Sequence, residues 1–253
     1  MTRVRRAAVL AAAAVLAAVA GLSALPGPAG AIVGGGEVEV ASYPWLAAVG
    51  SPLFLTRPSG QFCGGALIAA DQVLTAAHCV DIARLVPRAL SVTFGRSDLH
   101  AADGVTVGVT DIRVHPGFHE TSFGGTTVYH DDLALLTLAT PRPEPFARVG
   151  AGGASTGTIL GWGATSEGDS SNIRLLSATV PIVADSECAA AYGSAFDARD
   201  MLCAGSASAD TGEFDSGGPL LIGGYLAGIT SWGNGVARPG FPGVYSRLPC
   251  AAF

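Results

Sequence analysis

Lysine is absent from this 253-residue chain, so all 14 basic residues are arginines, and they face 20 acidic ones. The missing lysine reads as coding bias. The shortage of positive charge does carry meaning, because nucleic acids and anionic lipid surfaces are held by clustered cations, and neither suits a chain of net charge −6. No two of the five cysteines stand in a Cys-x-x-Cys spacing, which leaves a zinc site with little support. The stretch from Arg96 to Asp103 offers two carboxylates, Asp98 and Asp103, too few for a calcium loop. No metal and no cofactor is expected. Long helical periodicity is missing outside the alanine-rich N-terminus, and no internal repeat is visible.

That N-terminus has three parts: Arg3, Arg5 and Arg6, then an apolar run from Ala7 to about Ala20, then Ala29-Gly30-Ala31. This order predicts a signal peptide cut after Ala31 and a secreted, extracellular product. A retained membrane anchor is the alternative; mostly weakly hydrophobic alanine, followed by Pro26 and Pro28, argues against it. Arg5-Arg6 also allows the twin-arginine route, although its surroundings match poorly. Cutting there leaves residues 32–253. The 14 basic residues less the three in the leader, set against 20 acids, give that segment a charge of −9.

What remains is punctuated by glycine, proline and serine between short β-branched and aliphatic runs. Val73-Leu74-Thr75, Ser91 to Phe94 and Leu133 to Leu136 are examples. Such spacing predicts many short strands and an all-β barrel or sandwich class. Leu220 to Ile222 and Tyr225 to Thr230 flank Gly223-Gly224, where two glycines permit the positive φ of a tight hairpin. Pro141, Pro143 and Pro145 remove backbone donors from one segment, which predicts a linker rather than a central strand.

Three segments carry chemistry when read together: Leu74 to Cys79, Asp131 to Leu136, and Asp215-Ser216-Gly217-Gly218-Pro219. In this order they resemble the chymotrypsin and trypsin family of serine proteases. Also matching are Ile32 to Gly35, Tyr43-Pro44-Trp45, Cys63 to Ile68, Gly161-Trp162-Gly163, Ser231-Trp232-Gly233 and Pro242 to Tyr245, so the resemblance spans nearly all of residues 32–253. It implies two antiparallel Greek-key six-stranded β-barrels, residues 32–145 and 146–253, with the active site at their interface. Protein or peptide substrates, cleavage after Arg or Lys through an acyl-enzyme, and a monomer without a membrane partner follow as expectations.

The resemblance also assigns residues. A serine hydroxyl is a poor nucleophile at neutral pH unless a base takes its proton, so Ser216 would attack, His78 would be the base, and Asp132 would hold the imidazole. Asp131 competes for the last role, but Asp132 stands directly before the apolar strand as the pattern requires. His100, His115, His119 and His130 lack the Ala-Ala-His-Cys context of His78. Asp210, six residues before the nucleophile, matches the acid at the base of the primary pocket, with Thr211 at the base and Ser231, Trp232, Gly233 and Gly243 along the walls. Tyr192 and Tyr245 match supporting positions. Ile32, once it is the free N-terminus, would pair with Asp215 and order the loop around Ser216. Because Ala31 precedes it, signal peptidase would make that terminus directly. Cys63 with Cys79 and Cys188 with Cys203 match two family disulfides. A third, across the primary pocket, is missing at Gly212 and Val236, and Cys250 is left over.

Two departures stand against this pattern. Phe214 occupies the position of a family glycine whose N–H, with that of Ser216, forms the oxyanion hole. A phenylalanine resists positive φ, so the expectation is that its peptide turns the donor away. The sequence also stops eight residues past Tyr245, where relatives continue into a helix. These departures motivate the alternative of a catalytically impaired homologue acting as a binding module.

Overall fold

A computed structural model describes residues 32–143 and 145–248, so the signal-peptide reading and Cys250 lie outside the described residues. Fifteen strands and two short α-helices form within them. Six strands close a first barrel: β2 (Leu46–Gly50), β3 (Gln61–Ala69), β4 (Gln72–Thr75), β5 (Ser91–Phe94), β6 (Val105–Val114) and β9 (Ala134–Leu138). Their order is β2-β3-β4-β9-β6-β5, every pairing antiparallel. In β6, Val107 and Val109 bury at the two-residue strand period, and Ile112 follows at three. The register with β9 slips between Val109 and Asp111, and this bulge keeps the apolar side chains pointing inward.

The second barrel uses β10 (Thr156–Gly161), β11 (Leu176–Val183), β12 (Met201–Ala204), β13 (Pro219–Ile222), β14 (Tyr225–Trp232) and β15 (Gly243–Arg247). It runs β11-β10-β13-β14-β15-β12, and the β11–β12 pairing closes it. The short β1 (Gly36–Glu37) pairs with β11, so the start of the described chain docks on the later barrel. A hairpin of β7 (His119–Phe123) and β8 (Thr126–His130) forms a separate two-stranded sheet, with Val128 packed against Trp232 and Val244 of the second barrel. The predicted Gly223-Gly224 hairpin forms, with φ of 59° and 82°. Among the described residues, no strand includes any of the proline-rich segment.

The helices are α1 (Ala77–Val80) and α2 (Asp185–Tyr192). Sequence periodicity missed α2 because two turns that bury only Cys188 and Tyr192 give too short a pattern. One apolar cluster spans both barrels, joining Leu46, Ala66 and Leu74 to Leu160, Trp162 and Ile229. Burial of this shared seam holds the loops of the two barrels in a fixed mutual position.

Candidate active site

His78 lies in the single turn of α1, immediately after β4, and a Cys63–Cys79 disulfide ties the next residue to β3. Asp132 stands between β8 and β9 and is 0% exposed. Its Oδ2 accepts from His78 Nδ1 at 2.7 Å and from Ser231 Oγ at 2.5 Å, while Oδ1 accepts from the His78 backbone N–H at 2.8 Å. A carboxylate can only accept here, so Nδ1 carries the proton and the Nε2 lone pair is left for another donor. The Tyr129 ring stacks on the imidazole at 4.4 Å and 12°, which further restricts its rotation. Asp131, with φ of 47°, sends its carboxylate the other way, 3.7 Å from His115 Nδ1.

Ser216 follows a loop that begins at Asp210. Its carbonyl accepts from Gly64 N–H at 2.7 Å, one residue from the disulfide that anchors the His78 turn. Gly217 has φ of 77°, and a Cβ there would sit 2.3 Å from Thr75 Oγ1 and 2.5 Å from Gly64 O. Glycine is thus required both for its conformation and for the close approach of the barrels. Ser216 Oγ and His78 Nε2 share no hydrogen bond; Nε2 lies 3.7 Å from the Cys79 sulfur. Of the three side chains, His78 and Asp132 are joined by hydrogen bonds, and Ser216 is bonded to neither; catalytic hydrogen bonds commonly tighten only around substrate.

Phe214 departs from the sequence expectation. Its φ is 72°, and Asp215 N–H donates to Gly212 O at 3.2 Å, closing a turn with Glu213 and Phe214 at its centre. Positive φ at the second central residue alone defines type II, a turn that ordinarily requires glycine there. The Glu213 carbonyl accepts from Ala164 N–H at 2.7 Å. That carbonyl and the Phe214 N–H belong to one planar trans peptide, so clamping the C=O turns the N–H the opposite way. Phe214 has therefore accepted the conformation at a local cost of roughly 1–2 kcal/mol, instead of flipping its peptide.

Beside Ser216 opens a cavity of about 150 Å³, lined by Asp210, Thr211, Ser231, Trp232, Gly233 and Gly243. Gly212 and Val236, the ends of the missing disulfide, line it too. A Cβ on Gly243 would come within 2.6 Å of Asp210 Oδ1, so any other residue would cover the acid. Asp210 is 2% exposed and accepts from the Thr211 and Ala237 amides at 2.9 and 3.0 Å. Burial pushes its carboxyl up to about 7 against those two bonds. The ionised form is the one that attracts a cation. An amidinium ligand such as benzamidine should therefore bind about tenfold tighter per unit as pH rises toward 7 and level off above it. Calorimetric titration across pH 5–9 checks this, and a flat profile would remove Asp210 from the binding event.

Ile32 is fully buried in the second barrel's core, and Val33 pairs with Asp210 through N–H···O bonds of 3.0 and 3.3 Å. This brings the segment beginning at Ile32 onto the loop that bears Ser216. Asp215, 1% exposed, accepts from Gly163 and Gly212 amides at 2.7 and 2.9 Å, yet burial still pushes it up to about 7. Tyr192 Oη donates to Pro242 O at 2.6 Å, and Tyr245 packs fully buried in the same barrel's core. The Cys63–Cys79 and Cys188–Cys203 disulfides are both present. His115 and His119 do stand four apart, a spacing seen in metal sites. With Pro116 and Gly117 between them they share no helix face, and His119 turns its Nδ1 to Gly117 O.

Sequence reading missed three groups that bear on this site. Ser231 was expected only as pocket wall but also donates to Asp132, Tyr129 packs the imidazole, and Ala237 holds the pocket acid. Each lies between 27 and 99 residues from its partner along the chain, a separation that leaves no pattern a sequence window could detect.

Two closed barrels, an imidazole held by a buried carboxylate and a serine on a glycine turn define a serine endopeptidase of the two-barrel class. The family model for Trypsin matches residues 32–252, and the chain belongs to that family. A trypsin of Saccharopolyspora erythraea is 39% identical over 226 residues, covering 86% of this chain and 93% of that one. A trypsin-like protease of Streptomyces glaucescens is 39% identical over 197 residues, 74% of this chain and 70% of its own. Trypsin delta of Drosophila melanogaster is 32% identical over 236 residues, covering 88% and 87%.

Proposed function

We propose that this protein is a secreted endopeptidase cleaving after Arg or Lys, with Ser216, His78 and Asp132 as its triad. The observation that carries the reading is a single cavity shared by Ser216 and the buried acid Asp210. A cationic side chain seated against Asp210 sets the following carbonyl before Ser216. Ser216 Oγ bonds to that carbon as its proton passes to His78 Nε2, and the negative oxygen takes the N–H groups of Ser216 and Phe214. The intermediate collapses, the C–N bond breaks, and the imidazolium gives its proton to the departing amine. Water then repeats the sequence on the acyl-enzyme, with His78 again the base.

An arginyl chromogenic amide and a fluorophosphonate probe together test this. Hydrolysis with labelling at Ser216 supports it; a folded, disulfide-bonded sample that does neither supports the binding-module reading, which Phe214 motivates.

Export and activation belong to the same proposal. The disulfides suit an oxidising compartment, and cutting after Ala31 would free the Ile32 amino group to neutralise Asp215. An unpartnered buried carboxylate typically costs about 3–5 kcal/mol. With a residue retained before Ile32, Asp215 keeps its raised value of about 7. Its contribution to stability is then fully present below the ordinary carboxylate range and lost as pH rises through 7. A chain beginning at Ile32 should thus melt several degrees above an extended one at pH 8, and the gap should narrow steadily below pH 7 and close only near the ordinary carboxylate value of about 4. Thermal scans of the two chains decide it; equal midpoints at pH 8 refute the pairing.

A further inference from the structure

Phe214 holds a conformation that a non-glycine residue resists, and the residues around it explain how. Arg57 comes from the loop between β2 and β3 of the first barrel and is 5% exposed. Its guanidinium carbon lies 4.3 Å from the centroid of the Phe214 ring. The in-plane N–H groups are occupied elsewhere. Nε donates to Gln61 Oε1 at 2.8 Å, Nη1 to Ser170 O at 2.8 Å, and Nη2 to Trp162 O and Asn172 O at 2.7 Å each. Four of its five donors are thereby fixed, one to the start of β3 and three to the segment between β10 and β11, which holds the flat cation face against the ring.

Gln61 completes the arrangement. It is 1% exposed, and while its Oε1 receives Arg57, its Nε2 donates to Phe214 O at 2.9 Å. The residue in the strained turn is therefore gripped at three points: its ring by Arg57, its carbonyl by Gln61, and the preceding carbonyl by Ala164 N–H. The glycine of the family pattern offers no ring for such a grip.

We infer that Arg57 and Gln61 are positioning residues that hold the Phe214 peptide with its N–H toward the oxyanion, offsetting the loss of glycine at that position. The inference rests on the reading of Phe214 N–H as an oxyanion donor. Neither residue touches substrate; both act through the turn. The first barrel thus supports one wall of the oxyanion hole by a contact that exists only because residue 214 is aromatic.

A double-mutant cycle tests this on the whole secreted chain. Arg57→Met should lower kcat on an arginyl amide by about ten- to a hundredfold with KM changed less than threefold, part of what losing one oxyanion donor costs. In a Phe214→Gly background the same substitution should cost under about threefold, because glycine needs no support. A merely structural arginine would cost the same in both backgrounds, and that result overturns the inference. If Arg57→Met does not fold, Gln61→Met removes the carbonyl contact together with the acceptor of Arg57 Nε and should show the same dependence on residue 214 at smaller size.

A readout that needs no catalysis separates this from the proposed function. In the inert Ser216→Ala chain, Arg57→Met should speed hydrogen exchange of the Ala164 amide at least tenfold, and adding Phe214→Gly should restore its protection. Restored protection there, together with a Ser216-intact chain that hydrolyses no substrate, would sustain the positioning role and sink the protease reading. Unchanged Ala164 exchange in an active enzyme would do the reverse.

Discussion

Ser216→Ala is expected to lower kcat on an arginyl amide by about a millionfold, and adding His78→Ala to cost almost nothing more. The reason is that in the proposed mechanism the hydroxyl and the imidazole act as one unit: a base with no proton to take is as idle as a nucleophile that cannot lose one. Some thousandfold of rate over water should survive in both chains, supplied by the oxyanion donors and the pocket. Stability should barely move, because Ser216 Oγ makes no hydrogen bond and the residue is only part-buried. Asp132 would be a poor choice for the same test. Its oxygens accept three bonds at 0% exposure, so removing it strands the Ser231 hydroxyl and two N–H groups of His78. The measurement is single-turnover hydrolysis of the two single variants and the double. Losses that multiply, each independent of the other, would show that Ser216 and His78 do not cooperate.

Asp210→Asn should separate binding from chemistry. Truncating one partner of a buried charge pair costs about 2–5 kcal/mol, so kcat/KM on an arginyl substrate should fall about thirty- to several-thousandfold. On a phenylalanyl substrate the change should stay within about tenfold, since no charge pair is lost. The size of the first effect follows from the surroundings. Asp210 sits at 2% exposure with only two amide donors, and a bound guanidinium would supply the countercharge that burial now denies it. Asparagine keeps the shape but presents an amide that cannot satisfy both Thr211 and Ala237 N–H groups. Comparison of kcat/KM for the two substrates across both enzymes checks the prediction; equal losses on both would place Asp210 in the fold of the loop and not in substrate choice.

Much of the fold was legible because strand pairing in an antiparallel barrel leaves a local mark. Ser91–Phe94 is a strand as read, and the Gly223-Gly224 turn sits where two positive φ values were required. The helix Asp185–Tyr192 was not legible, since two turns with two buried residues carry almost no periodicity. Within the site, His78, Asp132 and Ser216 could be named because each sits in a short run whose neighbours are themselves constrained. Gly217 must be glycine, and Ala77 is fully buried. Phe214 was misjudged in one respect. Local backbone preference argued for a flipped peptide, whereas Arg57 and Gln61, 157 and 153 residues away, hold the strained one.

Residue types and their order along the chain determined the all-β class through short-range backbone rules, and, through the family resemblance that the motifs carry, implied the two disulfide pairings, the triad candidates and the acid of the pocket. Tertiary structure alone decided which oxygen of Asp132 meets which donor, how deeply Asp210 and Asp215 are buried, and which way the Glu213–Phe214 peptide points. Those properties depend on groups brought together from two separate barrels, and solvent exclusion at their seam is a product of packing that no stretch of sequence contains.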